Sequence, residues 1–288
     1  MILRPIAASE QVTPNGDLAS EIHNPLLTIH KAASGYLEAW AAIARTQTVS
    51  AGDFLLITQP DHARLAGELA AQFRAAFLPE TSTVIGEIIG VHDAGWLQFP
   101  PETDYSVSPS LTETGRPRSF IHVPLLDSIK AWQGSIRTAA NVSPLGEYMV
   151  SGHFCRLATG RLQSGADDAK TQAALRKFAS KEQDRQSQLE PTLRRSHRGM
   201  PGPQEYVDLL QFCDALSLYL CCGASDAVEF PQRFGGERLR IKFENGVYTT
   251  TPSLFTHGAE PSRGALRFHI AARSFSQNKT MRLEIRIR

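Results

Sequence analysis

The sequence carries almost no net charge: 30 Lys and Arg oppose 29 Asp and Glu, leaving +1 at pH 7. Without a global field there is no electrostatic ground for nucleic acid or an anionic membrane as partner, so any anion site must be local. Long apolar runs are missing as well. No stretch approaches the roughly eighteen uninterrupted apolar residues of a membrane-spanning helix. Cysteine is scarce: the four present, Cys155, Cys213, Cys221 and Cys222, lack paired zinc-type spacing. Three of them share one apolar segment, so buried reduced thiols are expected. The amino terminus, Met1-Ile2-Leu3-Arg4-Pro5-Ile6, lacks the apolar run and small-residue cleavage site of a secretory signal, and a cytoplasmic location is the expectation. What is there is ordinary for a globular protein, 42% apolar and 20% charged over 288 residues, enough for one large domain or a domain with an appendage.

Residues 1–52 read as an N-terminal extension, with a candidate edge strand at Met1 to Ile6, a turn at Pro14-Asn15-Gly16 and a helical stretch from Leu26 to Arg45. Asp53 to Thr58 is apolar enough for a buried strand. It hands over directly to a helix, with Thr58 as N-cap, Pro60 in the first turn and Asp61 three positions after the cap, running to about Phe77. A second apolar helix from Val84 is expected to end on His92-Asp93 and stop at Gly95. A Pro/Ser/Thr/Gly-rich loop, Leu97 to Ile121, has the length of a lid or specificity element. Further helices open at Pro124 and Ser143, and a charged one, Lys170 to Glu190, is closed by Pro191. Gln204 to Cys222 is apolar almost all round and therefore buried on most sides. Residues 53–226 thus read as one helical domain. From residue 227 the period changes to two: Arg238 to Phe243, Val247 to Thr251, Leu266 to Ala271 and Met281 to Ile287 alternate. These are expected to form an antiparallel sheet appended to the helical core, with the Met1 and Asp53 segments as candidate further strands.

Several polar side chains fall on the faces that should be buried. His62 shares its face with Leu65, Ala66, Leu69 and Phe73. His92 lies seven residues after Ile85 on the stripe that holds Ile88 and Ile89. His153 joins Leu145, Met149, Val150 and Leu157. Asp93 sits at a helix C-terminus, where the dipole gives a carboxylate nothing. Asp214 lies mid-helix, one turn from both Leu210 and Leu218. An ionised carboxylate buried unpaired is so costly that a cation or a hydrogen-bond network must face it. With imidazoles as the other inward groups, a transition metal is the simplest partner. Two or three His with two carboxylates suit Fe, Mn, Zn, Co or Ni, as one ion or as two with Asp93 bridging. The metal-free alternative is a set of buried His-Asp hydrogen-bonded pairs. His122, at the end of the loop, is the extra ligand to check. His23, His30, His197 and His269 read as ordinary surface or packing residues, and Lys177, Lys181 and Arg185 as a solvated face or a phosphate contact.

The order of a helical His, then His-Asp, then a distant helical Asp resembles the HD superfamily of metal-dependent phosphohydrolases, an all-helical fold. The runs Leu55 to His62, His92-Asp93-Ala94-Gly95-Trp96, Ser151-Gly152-His153-Phe154 and Leu216 to Gly223 are similar to the bacterial family catalogued as domain of unknown function 3891, a likeness covering about residues 53–288. It implies a mainly α fold, an HD-like helical core with the sheet as appendage, α+β overall. It also implies His62, His92, Asp93 and Asp214 as metal ligands with His153 as a further one, and Asp93 and His153 in catalysis. Many phosphohydrolase members carry a lysine beside the glycine that Trp96 follows here. The expected activity is hydrolysis of a small phosphorylated substrate, with no nucleic acid or membrane partner and no oligomeric state specified. An HD-type di-iron oxygenase and a non-catalytic metal-binding or sensor module are the competing readings.

Overall fold

The computed structural model describes residues 1–6, 37–48, 53–76, 78–79, 81–100, 104, 108–165, 167–196, 201–233, 236–255 and 264–288. The turn at Pro14 to Gly16, His23, His30, His197 and the first part of the Leu26 to Arg45 helix lie outside them. Seven α-helices are described: α1 (Leu37–Thr48), α2 (Gln59–Gln72), α3 (Thr83–Gly90), α4 (Leu125–Val142), α5 (Pro144–Ser164), α6 (Ala169–Ser196) and α7 (Pro203–Cys221). The strands are β1 (Ile2–Pro5), β2 (Phe54–Ile57), β3 (Val228–Glu229), β4 (Arg240–Glu244), β5 (Val247–Thr251), β6 (Leu266–Ser274) and β7 (Lys279–Ile287). Short 3₁₀ turns occupy Ala94–Gln98 and Phe120–His122.

The expected HD-like helical core with an antiparallel appendage is overturned. The fold is α+β, about 55% helical, around a curled seven-stranded mixed sheet. Strand order is β1-β2-β6-β7-β5-β4-β3. The physical reason lies in the two N-terminal strands. All four residues of β2 are buried, as are Ile2 and Leu3 of β1, so both segments need cover on two sides. β2 finds it between β1 and β6, pairing Leu55 with Ser274 and Leu56 with Arg273. The sheet is mixed because β7, after its hairpin with β6, lies parallel to β5.

The sheet therefore delivers the chain straight into the helix that carries His62. Thr58 accepts the Asp61 amide at 3.1 Å and donates its hydroxyl to the Asp61 carboxylate at 2.6 Å, closing the first turn of α2 from both directions. α2 ends at Gln72 rather than near Phe77. α5 starts as expected, with Ser143 accepting the Gly146 amide at 3.0 Å. α6 does not stop at Pro191. It passes through the proline to Ser196, and the buried Leu193 anchors its last turn.

α7 runs through the middle of the molecule, buried along nearly its whole length and packed on α2 and α5. Each large side chain it buries contributes roughly 1.5–3 kcal/mol of transfer free energy. Its C-terminal carbonyls are met by Arg4 of β1, which donates to Leu220 at 2.7 Å. A guanidinium at a helix C-terminus also suits the dipole. α2 and α3 cross with backbones almost touching: a Cβ on Gly67 would lie 2.5 Å from the Gly86 carbonyl oxygen. That approach places the residues after α3 beside those on α2.

Candidate metal centre

His62 stands on the first turn of α2 and His153 is the tenth residue of α5, both facing inward and buried. His92 and Asp93 are not on a helix. α3 ends at Gly90, and the pair occupies the turn before the 3₁₀ segment. The Gly95 amide donates to Ser135 Oγ at 3.0 Å, and a Cβ on Gly95 would sit 1.8 Å from the Ala131 carbonyl oxygen. Only glycine lets α4 press this turn against α7, where Asp214 waits with 6% of its surface exposed.

His62 Nε2 lies 2.9 Å from Asp93 Oδ2 and 3.9 Å from Asp214 Oδ1. His92 Nε2 lies 3.3 Å from Asp214 Oδ1 and 4.0 Å from Asp93 Oδ2. His153 Nε2 stands farther off, 3.9 Å from Asp214 Oδ2, and its Nδ1 has no hydrogen-bond partner. Donor atoms from His62, His92 and Asp214 all lie within 4.8 Å of one another, so this buried group could hold a metal ion. His122 is elsewhere. It lines a neighbouring pocket with Arg118 and Asp127, and its Nδ1 accepts the Ser119 amide. Of the three basic residues on one side of α6, Arg185 is paired with Glu182 and Glu147.

The hydrogen bonds behind the imidazoles decide which nitrogen faces the carboxylates. His92 Nδ1 faces the Ile89 carbonyl at 2.7 Å and must donate to it. Ser217 Oγ donates to the Asp214 carbonyl at 2.9 Å and so accepts from His62 Nδ1 at 3.0 Å. In the neutral imidazoles both Nε2 lone pairs then point at carboxylate oxygens, an arrangement of acceptor against acceptor that needs a cation between them. A proton or a metal ion meets that need, and the backing of each ligand by a fixed acceptor is the usual outer shell of a metal site. The donor set fits a transition ion.

Electrostatics point the same way. Burial alone would discharge His92, but Asp93 and Asp214 outweigh it and lift its pKa to about 9. Burial would raise Asp214, yet the His92 hydrogen bond and the charges of His153, His92 and His62 hold it down to about 2. His153, desolvated and repelled by His92 against the pull of Asp214, falls to about 4. Ser217 and the Ile89 carbonyl are invisible as site residues in the sequence. Gln59 also falls outside the expected set: it lies one turn before His62 and lines the same cavity, with a buried Oε1 that has no hydrogen-bond partner. Its spacing of three from His62 is the signal that could have found it.

An α+β protein with a buried His-His-Asp cluster able to hold a metal ion is the class these features define. The chain belongs to the family described as Protein of unknown function (DUF3891), whose model matches residues 46–259. No curated protein and no solved structure matches it. Among the described residues, no helix is long and apolar enough to cross a membrane.

Proposed function

We propose that the protein is a metal-dependent hydrolase acting on a small phosphate ester, with His62, His92, Asp93 and Asp214 holding the ion. The observation that carries this reading is the convergence of two imidazole Nε2 atoms, each backed by a fixed acceptor at Nδ1, on two buried carboxylates, a donor set that a metal ion can occupy in place of the proton that otherwise bridges it. The order of donors along the chain, His then His-Asp then Asp, is that of HD-type phosphohydrolases and supports the same chemistry. A divalent ion held by these residues would polarise a phosphoryl oxygen and lower the pKa of bound water from 15.7 toward about 7.

The chain's own residues supply the rest. Asp93 accepts one proton of the attacking water at its carboxylate while the water oxygen bonds to phosphorus and the ester P–O bond breaks; that proton then passes to the departing oxygen, which leaves as the alcohol. His153, with both ring nitrogens uncommitted by short hydrogen bonds, orients the ester and hydrogen-bonds the departing oxygen. The apolar shell around these groups keeps bulk water out and strengthens each charge interaction. The oxygenase alternative loses its extra ligand, since His122 faces another pocket. Purified protein loaded with Mn²⁺, Fe²⁺ or Zn²⁺ is expected to turn over at least one member of a panel of phosphomonoesters and phosphodiesters. Turnover is expected to vanish with chelator and in Asp93→Asn. Stoichiometric metal with no turnover across the panel defeats the hydrolase reading in favour of a binding module.

A further inference from the structure

The cavity beside the donors has two unlike halves. One is polar: His62, Asp93, His153 and Asp214. The other is a wall of Trp96, Phe120, Trp132, Phe154, Leu157 and Leu218. Among the described residues, the one cationic side chain lining it, Arg161, is held by Asp167 through two bonds of 2.8 Å, so its charge is already matched. The space is small, about 80 Å³. At roughly 10–15 Å³ per water-sized position, that is room for about six waters, or a phosphoryl group with one ring against the wall.

We propose, resting on the hydrolase reading above, that the substrate's organic half is small, apolar and uncharged and carries one hydrogen-bonding group recognised by Gln59. A second phosphate finds no unmatched cation among the described residues that line this cavity, and the small space leaves most of a nucleoside outside the apolar wall. The aromatic wall favours an apolar body instead. Gln59 adds the single polar reader. It is 5% exposed, shares its face of α2 with His62, and keeps a buried carbonyl oxygen without a partner. A buried amide left unpaired is costly, and a donor on the ligand relieves that cost.

Calorimetry on the Mn²⁺-loaded protein tests this without relying on turnover. Phenylphosphonate is expected to bind about ten-fold or more tighter than inorganic phosphate, the worth of burying one ring. AMP is expected to bind no tighter than phosphate. Among the 2-, 3- and 4-aminophenylphosphonates, at least one is expected to bind tighter than phenylphosphonate, and Gln59→Leu to abolish that gain while taking up Mn²⁺ normally. Gln59→Met is the second variant should the first not fold. Equal affinity for phosphate and phenylphosphonate, or tightest binding of AMP, overturns the apolar substrate class. An amino gain that survives in both variants, or no gain in any isomer, overturns the role of Gln59. Failure to take up Mn²⁺ defeats the hydrolase reading itself, and this inference with it.

Discussion

Ser217 decides which nitrogen of His62 can meet a cation. Its hydroxyl is committed as a donor to the Asp214 carbonyl, so it can only accept from Nδ1, and Nε2 is left bare toward Asp93. Removing that hydroxyl leaves every proposed ligand in place yet frees the ring to take the other tautomer. Ser217→Ala is therefore expected to weaken metal binding by about 10–100-fold, read by competition against a chelating dye. Asp214 was legible in the sequence because a carboxylate inside an apolar helix has no inexpensive explanation. The inward histidines were legible from helical spacing, although His92 reaches the interior from a turn rather than from the helix. Ser217 was not legible. A serine in a buried helix commonly bonds back to the preceding turn, and this one does so while also serving the imidazole.

At the scale of elements, the site is assembled by two glycine contacts that let backbones approach where a methyl would collide. The tighter is Gly95 against Ala131, which sets the His92-Asp93 turn on α4. Gly95→Ala is expected to destabilise the fold by at least about 1–3 kcal/mol, the cost of forcing atoms into a filled space, measured as a lower urea midpoint. Helix starts could be read from the sequence because they depend on one side chain: Thr58 and Ser143 each cap as their type and position dictate. Helix ends were read less well. α2 stops at Gln72, where the chain turns so that the Arg74 amide can donate to the Leu254 carbonyl, and α6 runs through Pro191 to seat Leu193 in the core. Those choices belong to contacts far away along the chain.

For the molecule as a whole, alternation revealed the C-terminal strands but not whom they pair with. Which edge receives β1 and β2, and the parallel meeting of β5 with β7, depend on partners more than 200 residues away in the first case and on the hairpin geometry in the second. Gln47 of α1 shows how closely the N-terminal segment is tied in: it bonds both backbone groups of Leu3, at 2.9 and 2.6 Å, and accepts from Ser119 at 2.7 Å, beside the Phe120 that lines the cavity. Because the donors come from α2, α5, α7 and the turn after α3, an ion bound among them stabilises the global fold. At a hundred times its Kd the gain is about 2.7 kcal/mol, expected as a higher thermal midpoint that chelator reverses. The most direct test is the metal content of the purified protein beside Asp214→Asn, which keeps the side chain's shape and removes its charge. The account predicts close to one or two transition ions per chain in the wild type and a large loss in the variant, with unchanged far-UV circular dichroism. A wild type that holds no metal after reconstitution, or a variant that holds as much, contradicts it.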